Sequence, residues 1–429
     1  MNAFLISIGN ELLIGDTINT NVAWLGNFLA RYDIETVKSI TIGDSADEII
    51  EGLTEGASKS ELVIITGGLG PTHDDITKKT MADFFGVGMI EHAETASFVR
   101  AVFEKRGIPL SKSNLEQAMV PENCDVLFNK KGTAPGMWFD VDGVVYISLP
   151  GVPAEMKYLM ESEALPKLKN RFGLSGSIYR HYIHTSGIGE STLSDLVIGD
   201  ISEYLNNGTE VAYLPHSHGV TLRITKKAET REMARQLMEP LLDIIREKAA
   251  AYVFSEEYRD TIEVALARIL TDKKLTIATA ESCTGGLIGD KLTNIPGSSS
   301  YYQGGIVAYS NDIKQKFLDV PSETLESYGA VSAQTAMVMA KSVAQKFGTN
   351  IGLATTGIAG PGGGTPDKPV GTVWFGYWDE NHHFALHVRL FKDRMMNKER
   401  TALIGMDIVR RVVQKVETMP YNIKPVYPE

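Results

Sequence analysis

An apolar run from Leu62 to Thr66 passes directly into Gly67-Gly68-Leu69-Gly70 and then into helical spacing, and no other feature limits the possible folds of this chain as strongly. A strand that is apolar at every position is covered on both faces, as in parallel sheets flanked by helices. The flanking sequence keeps the same rhythm. Phe4 to Ile8 predicts a first strand, and Val22, Leu25, Phe28 and Leu29 recur at helical spacing. A strand at Thr36 to Ile42, a helix from Asp47 to Ala57, a strand at Val144 to Leu149 and a helix from Ala154 to Leu168, opened by Pro153, complete the pattern.

The same grammar returns after residue 260. Leu275 to Thr279 runs into Ala280-Glu281-Ser282-Cys283-Thr284-Gly285-Gly286, and strands are predicted at Gly305 to Tyr309, Ile351 to Thr355 and Thr372 to Tyr377. Helices are predicted from Val331 to Phe347 and from Asn397 to Val416, and the Pro-rich tail after Met419 reads as frayed. Between the halves, Ile178 to Thr185 and Val220 to Thr225 read as strands. A helix from Glu229 to Ala250 places Met233, Leu237, Leu241 and Ile244 on its packing side. A length of 429 residues predicts several cores. The expectation is α/β: two three-layer domains with mostly parallel sheets, at 1–172 and 258–419, joined by a small α+β domain at 173–257.

Charge and cysteines narrow the setting. Fifty-three acidic against forty-two basic residues give a formal charge of -11, which opposes binding to nucleic acid or an anionic membrane surface. Cys124 and Cys283 form neither a disulfide framework nor a zinc knuckle, which fits a reducing compartment. With no basic n-region at the amino terminus and no long apolar span, a cytoplasmic protein is expected.

The first chemical constellation is Thr66 to Asp75. Gly67, Gly68 and Gly70 let backbone amides approach an anion, and the following helix start adds its positive end. The loop lacks a P-loop lysine and the dinucleotide spacing. Asp74 and Asp75 either hold a divalent cation against a diphosphate or cap the helix. Glu11, Asn19 and Asn21 follow the first strand, and Gly151 lies in the loop Leu149 to Glu155. Lys131 to Gly136 is a possible fourth wall. All belong to the edge where open α/β sheets bind ligands.

The second constellation presents Ser282 at a strand-to-helix turn, where a hydroxyl projects into a crevice and amides at the helix start can stabilise an oxyanion. The alternative is a plain N-cap. Cys283 is a rival nucleophile or a small packing residue. His382, His383 and His387 show no sign of facing Ser282. Lys314, just after Tyr309-Ser310-Asn311, is either a buried general base of lowered pKa or a solvated helix lysine. Thr356, Gly357 and Gly360 belong to a second glycine-rich loop, either a ligand cradle or a turn, and Arg394 is either a phosphate clamp or an exposed helix-start residue. His216 and His218 have metal-clip spacing without an evident third ligand, so a polar turn is favoured.

Gly67 to Thr77 with the Leu149 to Glu155 loop resembles the molybdopterin-binding-type domain at the front of the competence/damage-inducible CinA family. That resemblance implies hydrolysis of the ADP-ribose diphosphate to AMP and ribose 5-phosphate, with a divalent metal (Mg or Co) and potassium. The metal would be held by Asp74, Asp75 and Glu11, and substrate by Gly67, Gly68, Gly70, Thr72, Asn19, Asn21 and Gly151. Glu281 to Gly376 is similar to the nicotinamide-nucleotide amidase domain of the same family. The matching pieces are Glu281 to Gly286, Pro296 to Ser299, Tyr309 to Asn311 with Lys314, Gly329 to Ser332, and Thr356 to Pro361. This likeness implies that Ser282 attacks the carboxamide of nicotinamide mononucleotide, with Lys314 as base and Tyr309 assisting, and with no cofactor. Thr284, Gly285, Gly286, Thr356, Gly357, Gly360 and Arg394 would bind substrate.

Asn10, Asp312 and Ala333 depart from residues common in the family. The middle region resembles a KH-type unit, but it has no Gly-x-x-Gly loop flanked by bases, so a spacer or homodimer interface is expected rather than nucleic-acid binding. The competing whole-chain reading is an amidase whose front domain is a non-catalytic nucleotide- or pterin-binding regulatory module.

Overall fold

The computed structural model describes residues 1–72, 75–174, 178–206 and 208–427. They gather into two compact units, Met1–Tyr179 with Lys227–Ala234, and Arg180–Lys226 with Arg235–Glu429.

In the first unit, β1 (Asn2–Ile8), β2 (Glu35–Ile42), β3 (Leu62–Thr66), β4 (Asp125–Leu127), β5 (Gly136–Val141) and β6 (Val144–Leu149) form one sheet in the order β2-β1-β3-β6-β5-β4. The pairs from β2 to β6 are parallel, and the hairpin strands β5 and β4 run antiparallel. Pleating sends Ala3 and Leu5 to one core and Phe4, Ile6 and Ile8 to the other, so both sheet faces are buried. The helix expected over Ala154 to Leu168 is interrupted. A helix at Pro153–Leu159 passes through a π-turn at Met160–Ala164 into a helix at Leu165–Phe172. Pro166 explains this: it has no N–H to donate to the preceding turn, and its ring crowds the carbonyl there.

The second unit holds two sheets. β7 (Ile178–Thr185), β8 (Thr209–His216), β9 (Gly219–Lys227) and β10 (Val253–Ser255) are ordered β8-β9-β7-β10. The other sheet, β12-β11-β13-β14-β15, contains β11 (Ile277–Glu281), β12 (Tyr302–Val307), β13 (Ile351–Gly357), β14 (Thr372–Trp378) and β15 (His383–Arg389). β11 pairs in parallel with β12 and β13, and the last two strands are antiparallel. Buried residues cover both faces of this sheet.

Two expectations are corrected. The helix near 230–250 runs Arg231–Lys248 and buries Ala234, Met238, Leu241, Leu242 and Ile245, whereas Met233 and Leu237 are exposed. Apolar residues occupy adjacent positions at 237–238 and 241–242, so spacing alone fits two stripes about a residue apart. The tail is not frayed through its described length. Val426 exchanges backbone hydrogen bonds with Ala385 on edge strand β15, at 2.9 and 2.8 Å, satisfying groups an edge strand leaves unpaired.

Candidate active site

The second unit brings Ser282 and Lys314 together. Ser282 follows the buried strand β11, and its N–H donates to the Thr355 carbonyl at 2.9 Å, anchoring the turn to neighbouring β13. Lys314 lies on the helix Asn311–Leu318, which starts just after β12 with Ser310 as its N-cap. The crossover therefore returns the lysine to the carboxyl edge of β11. Its Nζ is 3.0 Å from Ser282 Oγ and donates to the Ala308 carbonyl at 2.7 Å. Both side chains are buried. Burial pushes the Lys314 amine below its ordinary range, with a smaller opposing pull from Cys283.

The neighbouring residues separate the alternatives left open by sequence. Cys283 is buried in the core, and its thiol is pushed up to about 12, chiefly by burial. The thiolate is the nucleophilic form, so this side chain packs rather than reacts. His382 pairs with Asp379, His383 faces the Met337 carbonyl, and His387 stacks by Trp374. None of them bonds to Ser282. Lys314 is buried against the hydroxyl rather than solvated.

The expected use of the helix-start amides is corrected. Glu281 is buried and accepts from Gly286, Ile288 and Gly289 N–H at 3.0, 3.1 and 2.9 Å, so these donors at the start of the helix Leu287–Thr293 are already satisfied. A buried carboxylate needs such partners, and a helix start supplies them. The only trace of this role in the sequence is an acidic residue shortly before the Gly285-Gly286 helix start. Gly285 N–H donates to Ser282 O at 3.1 Å, and Thr284 Oγ1 bonds Thr355 Oγ1 at 2.8 Å.

Tyr309 is exposed and bonds Arg394 Nη2 at 2.7 Å rather than Ser282 or Lys314. Arg394 Nη1 donates to the Gly360 carbonyl at 2.8 Å, so one guanidinium ties Tyr309 to the second glycine-rich loop. Thr356 Oγ1 donates to the Ala330 carbonyl at 2.6 Å. A Cβ at Gly357 would stand 2.7 Å from Thr372 O, and one at Gly360 2.6 Å from Val370 Cγ1, so close packing explains both glycines.

In the first unit, Asn21 donates to the Gly151 carbonyl at 2.7 Å, and among the described residues its buried Oδ1 has no hydrogen-bond partner. Gly151 packs against Gly67, which bonds Leu149 O at 3.0 Å, so these sequence candidates share one sheet edge. Gly68 has φ +65°, and a Cβ there would strike Thr77 Oγ1. Gly70 packs on the Asp75 carboxylate. Asn19 caps the helix Thr20–Ala30, accepting from Val22 N at 3.1 Å.

The Asp75 carboxylate accepts from Thr72 N at 2.9 Å and also from Thr72 Oγ1. Glu11 folds over Gly9. Asp74 lies outside the described residues. Among the described residues no three His, Cys, Asp or Glu gather to hold a metal ion, at this loop or at His216 and His218. Asp75 and Glu11 would therefore need further oxygen donors, such as those of a diphosphate, to complete a shell around a metal ion. In the fourth wall, Asn129 donates to Glu155 at 2.6 Å and accepts from Lys131 and Gly132 N–H. Lys78 had no sequence signal: it is buried, donates to the Gln117 carbonyl at 3.0 Å, and is pushed down to about 8 by burial, with Asp75 and Glu116 opposing.

Models described as a probable molybdopterin binding domain, a damage-inducible protein CinA KH domain and a CinA C-terminal domain match residues 4–170, 180–255 and 259–413. A CinA-like protein of Cytophaga hutchinsonii is 44% identical over 415 residues, covering 97% of this chain and 99% of that protein. The chain belongs to the CinA family. A second CinA-like protein, from Dictyoglomus thermophilum, is 41% identical over 411 residues, covering 96% of this chain and 99% of its own. The solved structure of a CinA protein of unknown function from Thermoplasma acidophilum is 36% identical, covers 39% of this chain and 96% of that one, and has a TM-score of 0.36. Among the described residues of this CinA-family chain, no helix is long and apolar enough to cross a membrane.

Proposed function

We propose that the C-terminal region hydrolyses the carboxamide of nicotinamide mononucleotide. The observation that carries this reading is the buried contact between Lys314 Nζ and Ser282 Oγ at 3.0 Å. An amine held by Ala308 O and depressed by burial keeps a lone pair for the hydroxyl proton. Ser282 Oγ attacks the amide carbon as Lys314 takes the proton. The tetrahedral intermediate collapses when Lys314 returns that proton to the leaving nitrogen, releasing ammonia and leaving an ester on Ser282. Water, deprotonated by Lys314, then attacks the ester carbon, and the C–Oγ bond breaks as Lys314 returns the proton to Ser282 Oγ, freeing nicotinic acid mononucleotide and restoring the serine. These steps use the chain's own groups. Tyr309 and Arg394 serve by holding the loop at Gly360 around the substrate. Rapid quenching with nicotinamide mononucleotide followed by mass analysis tests the scheme: an adduct of the acyl nucleotide is expected on the peptide bearing Ser282. Steady ammonia release with no such adduct at any time would count against the covalent route.

For the front domain the reading is cleavage of ADP-ribose to AMP and ribose 5-phosphate, dependent on added magnesium or cobalt and on potassium. The buried, unpartnered Asn21 Oδ1 beside Gly151 favours a polar ligand at this edge. AMP formed from ADP-ribose with metal, and lost in Asp75→Asn, supports cleavage; binding without AMP selects the regulatory alternative. The working assembly proposed is a cytoplasmic homodimer, readable by sedimentation.

A further inference from the structure

A nucleotide monoester brings between one and two negative charges at neutral pH, and a site for it needs a matching cation. The groups that sequence offered are engaged elsewhere. Arg394 directs one Nη to Gly360 O and the other to Tyr309 OH. The helix start after Gly286 is filled by Glu281, whose carboxylate repels an anion there.

Lys398 differs. It lies four residues after Arg394 on the helix Arg394–Gln414, so the two side chains share a face. Its neighbours are occupied: Glu399 pairs with Lys291 at 2.8 Å, and Arg400 stacks over Phe391 at 4.5 Å. Among the described residues Lys398 has no ion pair, and it is half-buried. Its Nζ would stand 3.6 Å from a Cβ built on Gly285, and Gly285 N–H in turn bonds Ser282 O at 3.1 Å. The ammonium thus sits one turn from the nucleophile. It also lines a cavity of about 420 Å³ with Leu287, Met395 and Met396.

We propose that Lys398 is the phosphate-reading cation of the amidase site, selecting a nicotinamide nucleotide over its riboside. This rests on the amidase reading. With the amide at Ser282, ring and ribose run past Gly285 and bring the phosphate to Lys398. A flexible point charge suits a phosphate whose other oxygens remain in water.

The test measures ammonia release by the full chain, as wild type, Lys398→Ala and Lys398→Arg, from nicotinamide mononucleotide and from nicotinamide riboside. Lys398→Ala should raise KM for the nucleotide by about 10- to 100-fold, the loss typical of one charge-assisted hydrogen bond, with kcat within about twofold. Lys398→Arg should recover most of it, and riboside kinetics should not change. An unchanged KM for the nucleotide, or an equal loss with the riboside, overturns the proposal while leaving the amidase intact. If the wild type releases no ammonia, the amidase reading itself fails. Calorimetry with ribose 5-phosphate then reads Lys398 separately: binding lost in Lys398→Ala supports the cation site, and equal binding by both proteins overturns it.

Discussion

Each unit of this protein buries a lysine near a strand-to-helix turn, and the two lysines differ in what stands beside them. Lys314 faces Ser282 Oγ at 3.0 Å, and Lys78 faces the Gln117 carbonyl at 3.0 Å. Burial lowers both amines. A low pKa is therefore not sufficient for base catalysis; the amine also needs a neighbour with a proton to give, and a carbonyl has none. The turns differ likewise. In the first unit the Asp75 carboxylate is tied to Thr72, whereas the 281–289 turn uses Glu281 to hold the loop and leaves the Ser282 hydroxyl to the lysine.

The sharpest break in this comparison comes from exchanging each lysine for methionine. Lys314→Met should reduce ammonia release from nicotinamide mononucleotide by about 10³- to 10⁴-fold, and Lys78→Met by less than about twofold. Comparable losses in both proteins would show that burial, not the hydroxyl partner, matters.

A smaller effect concerns stability. The folded Lys78 pKa, about 8, lies below the ordinary 10.5, so between those values the unfolded chain holds more protons and stability rises with pH. Below pH 8 the charged amine bears its full desolvation cost. Relative to Lys78→Met, the wild-type first unit should gain up to about 3 kcal/mol from pH 7.5 to 10.5, read by urea denaturation. No pH-dependent difference between the two proteins would contradict the buried, depressed amine.

The turns supply the smallest effect. Gly68→Ala places a methyl against Thr77 Oγ1 at φ +65°, whereas Gly286, at φ +95°, has only Val307 at 3.5 Å. Alanine at Gly286 should cost about 1–2 kcal/mol for the left-handed backbone alone, and at Gly68 more than that. Denaturation midpoints that rank the pair in reverse would show that the Thr77 contact yields readily.

The strands and turns were legible because a strand covered on both faces shows an unbroken apolar run, as in Leu62 to Thr66, and because glycines mark where it stops. The meeting of Ser282 with Lys314 was not legible from spacing. It depends on β12 pairing beside β11, so that residues 32 apart in sequence come into contact. Resemblance, not periodicity, selected Lys314 from the other polar residues of its helix. Lys78 and Lys398 are not legible in the sequence because an isolated lysine carries no pattern; among the described residues, burial distinguishes the first and the lack of an ion pair the second. The register of the helix Arg231–Lys248 is ambiguous in the sequence because both Leu237 and Met238 are apolar and only packing chooses between them.

Ammonia release from nicotinamide mononucleotide by the full chain carrying Ser282→Ala tests the central claim most directly. Release should fall to the uncatalysed background while the denaturation midpoint stays close to that of the wild type. A Ser282→Ala protein that still releases ammonia at the wild-type rate would contradict the serine's role, however closely Lys314 approaches it.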